Sequence, residues 1–199
     1  MIIVPRIKTA RCMLTLLQHY DHQVLRDYYR DNREHLSPWE PLRGKEYFSE
    51  FSVRKRLQAS NELFANGGAV HFVAFLGDES VPEHGEENVT ACKEIIGVCN
   101  FSNVVRGPFQ ACNLGYSIAE KYLGQGLMGE ILSAAIDYMF KEHGLHRIMA
   151  NYIPENKPSG KLLASLGFET EGLAKSYLQI AGQWQDHILT SKLNPADFS

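Results

Sequence analysis

A chain of 199 residues, 44% hydrophobic and 22% charged, has the composition of a single globular domain spanning residues 1–199. A formal net charge of −3 speaks against DNA or other nucleic acid as a general partner, since phosphate binding needs a basic surface, and it is compatible with a cationic substrate. No apolar run approaches the roughly 20 residues that span a bilayer, so no membrane partner is expected. Pro5, Arg6, Lys8 and Arg11 interrupt the first apolar residues, which therefore do not read as a secretory signal; a cytoplasmic location is expected. Cys12, Cys92, Cys99 and Cys112 have no CxxC spacing and are expected as reduced, buried thiols, with no metal site.

In chain order, Ile7 to Leu17 reads as one strand. Asp21 is expected to cap a helix running to about His35, with Val24, Leu25 and Tyr28 at helical spacing. Ser37-Pro38-Trp39-Glu40-Pro41 breaks it, because proline restricts both itself and its predecessor. Trp39 reads as a core anchor between helices. A second helix spans about Phe48 to Ala65 and ends at Gly67-Gly68. Val70 to Leu76 is a strand of β-branched and aromatic residues. Gly77 to Lys93 is acidic and irregular, a solvated hairpin loop. Glu94 to Val105 is the next strand, and Gly107-Pro108 turns the chain.

The stretch Ala111 to Gly129, ACNLGYSIAEKYLGQGLMG, organises the rest. Leu114, Tyr116 and Ile118 alternate with Asn113, Gly115 and Ser117, the two-residue period of a strand. After the turn Glu120-Lys121, Gly124-Gln125-Gly126 precedes an apolar-periodic helix running to about His143. Such a turn points unpaired helix N–H groups and the positive end of the helix dipole at an anion, and glycines let a phosphate approach. Neither the dinucleotide nor the P-loop glycine pattern fits. Gly144 ends the helix. His146 to Tyr152 is a strand; Asn156-Lys157-Pro158-Ser159 opens a helix through Leu166. Phe168 to Ile180 and Trp184 to Leu193 are the last strands, around Ala181-Gly182. The order predicts an α/β (α+β) sheet with helices on both faces.

The segment Leu123 to Met128 resembles the acetyl-CoA loop of the GCN5-related N-acetyltransferases, Gln/Arg-x-x-Gly-x-Gly/Ala. Gly126 matches, while Leu123 and Met128 depart from the usual first and last residues. The similarity extends from Arg11 to Thr190. In IIGVCNFSNVVRG, RIMANYIPENKPSG, LLASLGFETEG and GQWQDHILT it is greatest to the branch that acetylates the N-terminal alanine of ribosomal proteins. It implies the acyl-CoA N-acyltransferase fold, with a mixed sheet of about seven strands, and acetyl-CoA as cosubstrate. Tyr116, Ser117 and Ile118 would then hold pantetheine and thioester in a gap before the next strand, and an N–H near Ile118 would polarise the thioester carbonyl. Gly124, Gln125, Gly126, Leu127, Met128 and Gly129 would hold the pyrophosphate. Asn156 would bond the pantetheine arm, and Ser159 would meet the departing thiolate. Trp39 acquires a second reading as a wall of the acceptor groove.

Some relatives carry a Glu base and a Tyr acid where this chain has Asn151 and Leu163, so that dyad is not carried over. Glu94, Glu155 and His71, or a water held by Asn151 or Tyr152, are the bases left open. The implied reaction is direct attack by an N-terminal amine of a small-subunit ribosomal protein, free or within a pre-ribosomal particle, by a monomer or homodimer. A small-molecule amine as acceptor is the second reading, distinguished by a closed acidic pocket in place of a long cleft. A non-catalytic ribosome-assembly module is the third.

Overall fold

The computed structural model describes residues 4–77 and 94–198. The alternating and β-branched segments form β1 (Arg6–Lys8), β2 (Cys12–Thr15), β3 (Val70–Leu76), β4 (Ile95–Val105), β5 (Ala111–Ile118), β6 (Arg147–Met149), β7 (Glu169–Ile180) and β8 (Gln183–Leu193). The helices are α1 (His22–Asp31), α2 (Arg33–Leu36), α3 (Glu50–Ala65), α4 (Leu127–Lys141) and α5 (Lys157–Ser165). The strands make one sheet in the order β1-β2-β3-β4-β5-β6-β8-β7. β5 and β6 run parallel, and the other neighbours are antiparallel.

The pleat sends successive side chains to opposite faces, and each face has its own core. Leu14, Phe72, Ala74, Cys99, Phe101 and Leu114 pack with Leu127, Ile131, Leu132, Ala135 and Met139 of α4 and with Leu163 of α5. Their neighbours Met13, Val73, Phe75 and Val98 pack on the other face with Leu25 and Tyr28 of α1 and with Val53 and Leu57 of α3. Helices on both faces, as the element order predicts, follow from this double-sided apolar pattern. Cys12, Cys99 and Cys112 are buried thiols, and burial pushes Cys112 up to about 12. Cys92 and all but the first residue of the expected hairpin loop lie outside the described residues.

Five expectations are corrected. The single strand Ile7 to Leu17 is a hairpin, because the Thr9 N–H donates to the Cys12 carbonyl (2.8 Å) and the Cys12 N–H to Thr9 Oγ1 (2.9 Å). The sheet therefore has eight strands. Asp21 does not cap α1; its carboxylate accepts from the Gln18 N–H at 2.7 Å. The helix expected to reach His35 breaks at Asn32, whose buried amide donates to the Tyr28 carbonyl (2.9 Å) and accepts from the Glu120 N–H (2.9 Å). The β6 strand ends at Met149, three residues early. α3 begins two residues late, capped by Ser49 Oγ on the Ser52 N–H.

The tip of the β7–β8 hairpin reaches back across the molecule. The Ala181 N–H donates to the Glu40 carbonyl at 2.9 Å, fixing the loop that carries Trp39 to Arg43.

Replacing Asn32 with Ala leaves the Glu120 N–H without its acceptor. The expected cost is about 1–3 kcal/mol, read as a lower urea midpoint with an unchanged denaturant slope.

Candidate active site

The β5 and β6 strands pair only at Ala111/Arg147, Cys112/Ile148 and Asn113/Met149. Beyond that they follow different partners. β5 stays on β4 as far as Ile118 opposite Gly97. The chain after β6 stays on β8: Ala150 N–H donates to the Thr190 carbonyl (3.0 Å), and Tyr152 and Ile188 exchange both bonds (3.1 and 2.8 Å). Thr190 strengthens this choice through its hydroxyl, which donates to the Ala150 carbonyl. A wedge opens between the two strands. The Ala119 N–H donates to Ile96 on β4 at 2.8 Å. By the alternation of a strand, Tyr116 and Ile118 turn their N–H and C=O toward the wedge.

At the wide end lies the glycine turn. Gly124 (φ 72°) and Gly126 (φ 74°) both adopt the left-handed conformation that glycine takes without a Cβ penalty, and Gly126 directly precedes α4. Arg11, on the β1–β2 turn, braces this loop. Its Nη1 donates to the Gln125 carbonyl (2.9 Å) and its Nε to Glu130 Oε2 (2.7 Å) on α4. The Thr9 hydroxyl (2.6 Å) and the Arg11 guanidinium hold the Glu130 carboxyl below its ordinary range.

Along one wall, Asn156 accepts from the Ser159 N–H at 3.2 Å and so caps α5. The Ser159 hydroxyl is 2.7 Å from the Tyr116 hydroxyl, whose pKa burial pushes up to about 12. Ser117 Oγ is 2.9 Å from the Tyr28 hydroxyl of α1. Gly160 lies against Tyr152 so closely that a Cβ there would be 2.7 Å from the ring.

These elements enclose a cavity of about 450 Å³. Tyr116, Ser117, Ile118, Gly124, Gly126, Leu127, Met128, Gly129, Asn156 and Ser159 all line it, as the sequence reading grouped them. Gln125 is apart: its amide donates to the Lys121 carbonyl at 3.0 Å. A second cavity, about 270 Å³, lies on the far side of the same wall and shares Trp39, Tyr116, Ser117, Asn156 and Ser159 with the first. Trp39 is 39% exposed and lines both, so it is a partition wall and not a core anchor.

Of the bases left open, Glu94 is ion-paired with Lys121, His71 Nδ1 is 2.9 Å from the Ser60 hydroxyl, and Glu155 lines neither cavity. Asn151 and Tyr152 line the second cavity. Three residues that sequence reasoning passed over are here: Arg11 at the glycine turn, and Glu40 and His187 in the second cavity. Only Glu40, next to the Pro-Trp-Glu-Pro break, had a local signal.

A strand wedge leading to a glycine turn at a helix N-terminus offers free main-chain donors and room for a long anionic ligand. The family model of the acetyltransferase (GNAT) domain matches residues 11–169. This chain belongs to the GNAT acetyltransferase family.

The acetyltransferase is 50% identical over 190 residues to the [ribosomal protein uS5]-alanine N-acetyltransferase of Escherichia coli, covering 96% of this chain and 91% of that protein. The ribosomal-protein-S5-alanine acetyltransferase of Vibrio fischeri superposes with a TM-score of 0.85 at 40% identity, covering 96% and 97% of the two chains. Mycobacterium smegmatis RimJ, in complex with CoA-disulfide, superposes with a TM-score of 0.81 at 28% identity, covering 97% and 88%. Acetyl-CoA is accordingly the acyl donor of this enzyme. Among the described residues no helix is long and apolar enough to cross a membrane.

Replacing Arg11 with Ala removes the brace from the glycine turn. With Arg11 half exposed, a loss of about 1 kcal/mol is expected, roughly a fivefold rise in the KM for acetyl-CoA at unchanged kcat.

Proposed function

We propose that this enzyme, as a single acetyltransferase domain, transfers acetyl from acetyl-CoA to the N-terminal α-amine of a small-subunit ribosomal protein whose first residue is alanine. The observation that carries the reading is the meeting of two cavities at Tyr116 and Ser159. The likeness to alanine N-acetyltransferases over nearly the full chain supports the choice of acceptor.

In this reading the glycine turn and the first N–H groups of α4 take the pyrophosphate, and Arg11, paired with Glu130, holds the turn in shape. Asn156 and the edge of β5 at Tyr116 and Ile118 hold the pantetheine arm. The Ile118 N–H is aimed to stabilise charge on the thioester oxygen. The neutral amine attacks from the second cavity; a C–N bond forms and the C–S bond breaks. The sulfur leaves with the bonding pair. Ser159, backed by Tyr116, hydrogen-bonds the thiolate, which ends as a thiol by net transfer of one proton from nitrogen to sulfur.

The second cavity favours a peptide over a small polycation. Its carboxylate, Glu40, is paired with Arg43 at 2.9 Å, so the pocket offers no free acidic cage. Through Tyr29, Glu40, Pro41 and Arg43 it continues into a further groove of about 350 Å³ at the surface. That length suits a chain that extends beyond its amine. The expected setting is the cytoplasm, with the acceptor free or on a pre-ribosomal particle and the enzyme a monomer or homodimer.

Incubation with acetyl-CoA and a peptide of ribosomal origin beginning with Ala should add about 42 mass units at its α-amine, as one acetyl group does. A peptide left unmodified while a small amine is acetylated would reject the acceptor. Ser159→Ala should lower kcat about 10²-fold with little change in acetyl-CoA affinity, and Tyr116→Phe should lower it less, because Ser159 can still donate. Steady-state kinetics with calorimetric binding checks both.

A further inference from the structure

An N-terminal amine has a pKa of about 7.7–8.0, so most of it arrives protonated at neutral pH and must lose a proton before attack. The acceptor side of the cavity contains few groups able to take one. Glu40 is held by Arg43. Tyr116 is pushed the wrong way by burial. Asn151 cannot accept a proton at this pH.

His187 remains. It lies on β8 opposite Ala174 and is 3% exposed, and it lines the acceptor cavity together with Tyr116, Asn156 and Ser159. Nδ1 is 3.1 Å from the Gln185 carbonyl. A carbonyl only accepts, so Nδ1 carries the hydrogen and the neutral ring leaves Nε2 with its lone pair. Nε2 has no hydrogen-bond partner among the described residues, yet it is not among the polar atoms sealed from solvent. Nε2 therefore keeps some accessible surface, on a residue that lines the acceptor cavity.

The neighbouring structure holds the ring in place. The β7 strand bulges between Ala174 and Leu178, with Ser176 at φ 47° and its N–H donated to Asp186 at 2.8 Å. Bulges re-aim side chains beside active sites. Here the bulge brings the Tyr177 ring to 5.6 Å from that of His187, at an angle of 54°. The Asn151 amide lies 3.5 Å from the Tyr177 hydroxyl on the same side. The titratable groups that face His187 are Tyr177 from β7, Tyr152 after β6, Tyr116 on β5, Tyr29 on α1, and the Glu40–Arg43 pair. The carboxylate and guanidinium of that pair offset each other.

The geometry points to His187 as the proton acceptor for the incoming amine. Resting on the acceptor reading above, Nε2 takes one proton from the α-ammonium, directly or through one water, and leaves a neutral amine and an imidazolium. The neutral nitrogen then attacks the thioester carbon as described. Its second proton accounts for the thiol, and the imidazolium returns its proton to solvent after the product leaves. Atoms and charge balance without a further reagent. The role falls to a histidine on the strand that walls the acceptor side, remote in sequence from Asn151 and Leu163.

The test compares wild type with His187→Gln and His187→Ala on the Ala-initiated peptide. His187→Gln should lose about 10²-fold in kcat with acetyl-CoA affinity unchanged, and imidazole added to His187→Ala should restore part of the loss. The acid limb of the kcat–pH profile should change shape in His187→Gln. Activity within twofold of wild type, or a loss with no imidazole rescue and an unaltered pH profile, would overturn the assignment. Should both variants fold poorly, 15N-histidine spectra of wild type decide: acceptor peptide must move the His187 Nε2 resonance, and an unmoved resonance rejects the role. The wild-type rate on the peptide tests the acceptor reading by itself. The ratio of variant to wild type tests His187, and it is read equally on any amine that wild type acetylates.

Discussion

Two strands that begin as hydrogen-bonded neighbours cannot both keep their partners when each is drawn to a different side of the sheet. β5 follows β4 to Ile118, and the chain after β6 follows β8 through Thr190 and Ile188. The parting at Asn113/Met149 leaves main-chain donors and acceptors on one edge of β5 without a strand opposite them. Backbone polar groups in such a place need a partner. In the proposed reading a pantetheine arm, with its own amides, would supply the missing half of the ladder. The glycine turn, the cap of α5 and the Tyr116–Ser159 pair are all arranged around that opening.

The two halves of the site rest on different chemistry. The donor half is largely backbone: a strand edge, two glycines in left-handed conformation, and helix N–H groups. In the proposed reading main-chain groups do the holding, which leaves Leu123 and Met128 free to depart from the usual loop residues. The acceptor half is made of side chains, among them Tyr29, Trp39, Glu40, Tyr152 and His187, contributed by elements from opposite ends of the chain.

Local order made the donor half legible in the sequence. The alternation of Leu114, Tyr116 and Ile118, the glycine pair and the Asn156–Ser159 cap all lie within short windows, and their positions hold to within a residue or two. What escaped were choices decided at a distance. Asn32 ends α1 because it serves an N–H 88 residues away, and Arg11 belongs to the site because it reaches an α4 carboxylate 119 residues on. His187 reads in sequence as one more polar residue on a two-faced strand. Trp39 admits two readings in sequence, core anchor and groove wall, and it stands between two cavities. Its place depends on the 37–43 segment being tied through Glu40 to Ala181 of the distant β7–β8 hairpin.

The bond between Ala181 and Glu40 links two loops that no strand or helix connects. One belongs to the last hairpin, the other to the stretch behind the second helix, and together they line the groove that the proposed reading gives to the acceptor. Lengthening the hairpin by a pair of residues, or exchanging the prolines around Trp39, would resize that doorway while the nucleotide's berth stayed as it was. In the proposed reading, such a layout leaves the choice of acceptor to two exposed loops, apart from the machinery that carries the acyl group.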